Sequence, residues 1–140
     1  MFIRIEMAAF LENWKPYLKT DDYDYLTTFV ENVNQNIVNQ HILILVGSGC
    51  NGKTKLTREI IEKMGGYDFC CQTLNDITEK TNRKMIVLDD GEEIDDEQSE
   101  FLLYMLNKEN IILTTFSLDG IPEMLHPHSR FIVMDHVFRS

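Results

Sequence analysis

An α/β fold, with a five-stranded, mostly parallel sheet covered by helices on both faces, is predicted by three features of the sequence. From residue 41 onward, short apolar runs alternate with helical patterns, the rhythm of parallel strands joined by helices. The first of those runs, "ILILV" at 42–46, passes without a spacer into the glycine-rich "GSGCNGKT" at 47–54, where a helical pattern begins. Folds of this kind bind ligands at that point, between the carboxyl end of a strand and the next helix. The third feature is size, since 140 residues with 44% hydrophobic content suit one packed domain.

Taken in order, residues 1–40 are expected to form an N-terminal helical segment packed on a core spanning 41–140. Residues 5–19 and 22–39 read as helices, with Phe10, Trp14 and Leu18 on one apolar stripe and Tyr25, Phe29, Val33 and Ile37 on another. Pro16 should break or kink the first of them. Strands are expected at "ILILV", "YDFCCQT", "KMIVL", "NIILTT" and "RFIVMD". Helices fall between them at "KTKLTREIIEKM", capped by Gly65 and Gly66, and at "DDEQSEFLLYMLNK".

Bulk composition narrows the function. With 13 basic against 23 acidic side chains the formal charge is −10, whereas proteins that hold nucleic acid through its phosphates usually present a basic face. Part of the imbalance is local: seven of the nine residues in "DDGEEIDDE" (89–97) are acidic. Any nucleic-acid role must rest on a small patch, on assembly or on a partner. The longest apolar run is far short of the roughly 20 residues that a membrane span needs. Glu6 and Glu12 come too early for a secretory signal. Three cysteines, with Cys70 next to Cys71, suit reduced thiols, so an intracellular protein is expected.

Gly47, Gly52, Lys53 and Thr54 fill all four fixed places of the phosphate-loop pattern G-x-x-x-x-G-K-[ST]. The glycines let successive N–H groups of Gly47, Ser48, Gly49, Cys50, Asn51 and Gly52 turn inward, and the following helix adds its positive dipole end. Lys53 would reach the β- and γ-phosphates of ATP, and the Thr54 hydroxyl would ligate Mg²⁺. A P-loop nucleoside triphosphatase also needs an acid at the end of a neighbouring strand. "KMIVLDD" supplies Asp89 for the metal shell and Asp90 to orient the attacking water, with Glu92 or Glu93 as the fallback. Asp95, Asp96 and Glu97 read instead as the dipole-favoured start of a helix. His126 and His128 flank Pro127, and a metal site there would need further ligands that the sequence does not point to. Cys50, near a helix N-terminus, is either a reactive thiol of lowered pKa or simply a small loop residue.

With these residues in view, "ILILVGSGCNGKT" resembles the first motif of superfamily 3 helicases, AAA+-type ring ATPases of viruses and phages, in which Asn before Gly-Lys is frequent, as Asn51 is here. "IVLDD" is similar to the Walker B strand, "IILTTFSLDGIP" to the sensor strand and its loop, and "HSRFIVMD" to the segment bearing an arginine finger. The resemblance implies an ATPase of viral or phage replication or packaging, in host cytoplasm or nucleus, working as a homo-oligomeric ring or with a larger replication partner. It also implies that Arg130 completes a neighbouring subunit's site, although a surface residue starting a strand remains the other reading. Thr114 and Thr115 are followed by Phe116 where the family usually carries Asn. One helix fills the interval in which the family inserts its DNA-gripping hairpin, and the chain resembles a core without the helical lid. The isolated chain is therefore expected to bind nucleic acid weakly.

Two alternatives share the loop: a nucleotide or small-molecule kinase, and a nucleotide-binding regulatory module without turnover. Kinases normally supply several arginines for lid and acceptor site, whereas this chain has five, scattered at 4, 58, 83, 130 and 139. Strand order separates the two folds, since a helicase-like core places its fourth strand between the first and third.

Overall fold

The computed structural model describes residues 9–47, 52–65, 70–71, 85–88 and 94–134. Within them β1 (Ile42–Val46), β2 (Cys70–Cys71), β3 (Met85–Leu88), β4 (Asn110–Thr115) and β5 (Ser129–Val133) form one sheet in the order β2-β3-β4-β1-β5. Each pairing is parallel, so β4 lies between β1 and β3. Four of these strands run four to six residues. The other, β2, contributes two residues paired with Met85 and Ile86. It stands at an edge with a ladder on one side, whereas β4 and β1 are held on both.

The period of two along each strand sends neighbouring side chains to opposite cores. Leu43 and Leu45 join one buried cluster with Met85, Val87, Ile112 and Ile132. Ile42, Ile44 and Val46 join the other with Ile86, Leu88, Ile111 and Leu113. Because both faces are covered, β1 and β3 are apolar at every position and buried throughout, which is why their sequences show no alternation.

The first face is covered by α1 (Thr20–Asn34), α2 (Lys53–Lys63) and an N-terminal 3₁₀ helix (Ala9–Tyr17). Leu11, Trp14, Leu26, Phe29, Val30 and Val33 pack there with Leu56, Ile60 and Ile61. The other face is covered by α3 (Asp96–Leu106), through Leu102, Met105 and Leu106, and by Leu125 of a short 3₁₀ helix (Glu123–His128).

Two helices depart from expectation for local reasons. The first is 3₁₀ rather than α: Pro16 lacks an N–H and its ring obstructs the carbonyl one α-turn back. The apolar stripe changes period with it. Leu11 and Trp14, three apart, are buried, and Tyr17 makes an edge-to-face contact with Trp14 at 6.3 Å. The second helix ends at Asn34, not near residue 39, because Asn36 takes a left-handed φ of 60°. Asn36 N–H then donates to Val33 O (3.1 Å) and Ile37 N–H to Asn32 O (2.8 Å), the paired bonds that close a helix C-terminus. Ile37, expected on the apolar stripe, is left exposed.

The connection into β1 is held by a buried polar network. Asn110 Oδ1 accepts from Asn39 N and Nδ2, both at 2.7 Å, while its Nδ2 donates to Ile37 O at 3.0 Å. Asn39 Oδ1 in turn accepts from Asn32 Nδ2 at 2.8 Å. These bonds tie the end of α1 to the start of β4, some 70 residues away in sequence. Asn110, 3% exposed, is satisfied rather than stranded at the head of a buried strand.

Candidate functional site

β1 delivers the chain to the carboxyl edge of the sheet and two bonds fasten it there. Gly47 N–H donates to Thr115 O of β4 (3.0 Å), and Met134 N–H, just past β5, donates to Val46 O (2.7 Å). Ser48, Gly49, Cys50 and Asn51 lie outside the described residues. The chain resumes at Gly52 with φ 88° and ψ 2°, a left-handed conformation that costs glycine little and other residues much. Gly52 O accepts the first bond of α2, from Leu56 N (2.9 Å).

α2 and α3 begin differently. Asp95 caps α3 by accepting from Gln98 N (2.7 Å), and Gln98 Oε1 accepts from Asp95 N (3.0 Å), a reciprocal capping box followed by Asp96 and Glu97. That is the helix-start role expected of this acidic run. α2 has no side-chain cap and no acidic residue in its first turn. Its leading N–H groups and dipole therefore favour an external anion.

Lys53, the first residue of α2, is 3% exposed, and its Nζ lies 4.8 Å from the centre of the Phe116 ring. Thr54 is partly exposed beside it, and Thr57 Oγ1 donates back to Lys53 O (2.8 Å). Across the edge, Thr114 stands level with Leu45 and Thr115 with Val46. Thr115 Oγ1 donates to Ser117 O (3.0 Å), and Thr114 is buried beside it. The loop after β4 folds back tightly. A Cβ on Gly120 would come within 2.9 Å of Thr115 Oγ1. Phe116 and Leu118 stay exposed.

Gly47, Gly52, Lys53, Thr54 and Thr114 are thus gathered at one edge. Asp89 and Asp90, with Glu92 and Glu93, lie outside the described residues; β3 ends at Leu88, level with Leu113. Arg130 is not brought to this edge. It is the second residue of β5, level with Leu43, three positions back from Val46 and roughly 10 Å along the strand. Its guanidinium donates to Asp22 Oδ1 of α1 at 3.0 Å and stands 5.1 Å from the centre of the Tyr25 ring. A finger reaching a neighbouring subunit would have to leave both partners. His126 Nε2 donates to Ile121 O (3.0 Å), and its ring meets Phe131 edge-on.

Burial pushes the Tyr25 phenol above its ordinary value of 10.0, and the Arg130 guanidinium partly offsets that rise. Since the folded value exceeds the unfolded one, this phenol's contribution to stability is complete below about pH 10 and is lost as pH climbs through the folded value. In Arg130→Ala the offset disappears, so Tyr25 should titrate at still higher pH. Phenolate absorbance of each protein, less that of its Tyr25→Phe counterpart, isolates the group. An unchanged or lower midpoint would show that Arg130 does not act on Tyr25.

Comparison of the chain with protein-family models and with curated proteins finds no match. Among the described residues no helix is long and apolar enough to cross a membrane, and no three His, Cys, Asp or Glu side chains gather as a metal site.

Three contacts here carry no sequence signal. The Phe116 ring against Lys53, the Asp22 partner of Arg130 and the bond from Trp14 Nε1 to Glu59 Oε2 (2.9 Å) each join residues at least 45 positions apart. No spacing rule reaches across such distances.

Proposed function

We propose that the chain is an ATP-binding and hydrolysing P-loop domain of the superfamily 3 helicase type, acting in viral or phage nucleic-acid replication or packaging. The observation that carries this reading is Lys53: a cation almost removed from water, opening an uncapped helix directly after a left-handed glycine at the carboxyl edge of β1. A lysine at that position supplies the positive charge that a polyphosphate pairs with. The insertion of β4 between β1 and β3 supports the helicase-like reading over a kinase.

In this reading the α2 N–H groups and Lys53 bind the β- and γ-phosphates, and a polar contact to the γ-phosphate or to water would come from one of the threonines at the end of β4, Thr114 or Thr115. Thr54 and Asp89 would hold Mg²⁺, which offsets phosphate charge and orients the leaving group. Asp90 orients the attacking water. Arg130 would add a finger only in a ring that draws it away from Asp22. A second reading, nucleotide binding without turnover, draws on Phe116, whose exposed ring sits on Lys53 where a polar sensor would stand.

The test is ATP binding and hydrolysis by the full chain, with and without single-stranded DNA. Asp89→Asn should lower turnover by at least roughly 10²-fold and weaken its Mg²⁺ dependence, while ATP affinity stays within a few-fold because the loop N–H groups remain. Equal loss of binding and turnover would make Asp89 structural. Binding without hydrolysis at any DNA concentration would favour the second reading, and no binding would end both.

A further inference from the structure

A cleft with a volume of ≈ 430 Å³ opens between the N-terminal 3₁₀ helix and α2, lined by Asn13, Trp14, Tyr17, Lys55 and Glu59. Its place follows from helix geometry. Lys53, Leu56, Thr57 and Ile60 turn inward, whereas Lys55 and Glu59, four apart, share the face toward the 3₁₀ helix. Lys55 lies in the first turn of α2, about 3 Å along the axis from Lys53. The cleft therefore flanks the first turns of the helix whose start would hold the phosphates.

We propose that this cleft receives the base and ribose of the nucleotide whose phosphates lie at Gly47–Thr54, an inference that rests on the nucleotide-binding reading above. Its volume lies within the usual range for small-ligand sites. Tyr17, 38% exposed and set edge-to-face on Trp14, presents a firm aromatic wall against which a planar base stacks. Asn13 is exposed at the same rim and carries both a donor and an acceptor, the combination that a base edge matches. Trp14 Nε1 holds the Glu59 carboxylate in the wall at 2.9 Å. That negative charge disfavours phosphate inside the cleft and suits the hydroxyls and amines of a nucleoside, which donate to it. The cleft thus separates the neutral half of a nucleotide from its charged half.

Trp14 is the single tryptophan of the chain, so its emission reports on the cleft directly. The full chain is titrated with Mg²⁺–ATP and, separately, with inorganic triphosphate, affinities being measured by equilibrium dialysis alongside fluorescence. ATP should change Trp14 emission and triphosphate should bind without changing it. Tyr17→Ala and Asn13→Ala should each weaken ATP on the order of ten-fold and leave triphosphate affinity as it was, while Tyr17→Phe retains wild-type ATP affinity. Asn13 is exposed, so its variant remains informative should Tyr17→Ala disturb the 3₁₀ helix. ATP binding of equal strength in wild type and both alanine variants, with Trp14 emission unmoved, overturns this inference and leaves the nucleotide reading standing. Failure of both ligands to bind overturns the nucleotide reading and this inference with it.

Discussion

Lys53→Met should weaken ATP binding by about 10² to 10³-fold while the chain stays folded. Lys53 is 3% exposed at the start of α2, where phosphate oxygens would accept from its ammonium. A hydrogen bond between charged partners contributes about 1.5–3 kcal/mol, and a polyphosphate offers more than one acceptor. The Phe116 ring competes for the same cation, yet a cation–π contact at an exposed ring is worth only about 0.5–1 kcal/mol. Phosphate therefore displaces the ring. Methionine keeps the apolar stem and packing of lysine without its charge, so a loss of affinity reports on the ammonium. Calorimetric ATP titration together with far-UV circular dichroism checks both halves of the expectation. Wild-type affinity in a folded Lys53→Met protein would remove the basis of the nucleotide reading.

The largest stability effect is expected at Phe29. It is wholly buried in α1, in the cluster that also holds Trp14 of the 3₁₀ helix, Leu43 and Leu45 of β1, and Leu56 and Ile60 of α2. Truncation to Ala removes its apolar contacts and leaves a cavity, at a cost of about 3–5 kcal/mol. Against a total stability of roughly 5–15 kcal/mol for a domain, that brings the chain close to unfolding. Because the N-terminal helices and the sheet share this core, the loss should fall on the whole molecule. Trp14 fluorescence, which reports the N-terminal segment, and circular dichroism, which reports all helices, should shift to the same lower urea midpoint. Two separated transitions would show that residues 9–34 fold independently of the sheet.

Much of the arrangement was legible because its signals are local. "ILILV" is apolar at every position since both faces of β1 are covered, and an uninterrupted run conveys that directly. Gly52, Lys53 and Thr54 mark the start of α2 because a glycine that must take a left-handed φ and the helix after it are neighbours in sequence. The acidic start of α3 was equally readable in Asp95, Asp96 and Glu97, whereas the reciprocal bonds of Asp95 and Gln98 emerge from the structure. The early end of α1 at Asn36 was less so. Asparagine enters the left-handed region at modest cost but does not announce where it will, and the apolar spacing of Ile37 argued for continuing the helix.

Local signals along the chain specify the alternation of strands and helices, the glycine-bounded loop after β1 and the acidic start of α3. In each case the residues that cooperate lie within one or two turns of chain, where propensity and spacing act. Long-range packing, by contrast, sets β4 between β1 and β3, closes the network of Asn110 with Asn39 and Asn32, and brings Lys53 to Phe116. It also decided that Arg130 is held by Asp22 and that Trp14, Tyr17 and Lys55 border one cleft. These contacts join segments tens of residues apart. Their partners are selected by the burial of both faces of the sheet, a property of the packed molecule that no window of sequence contains.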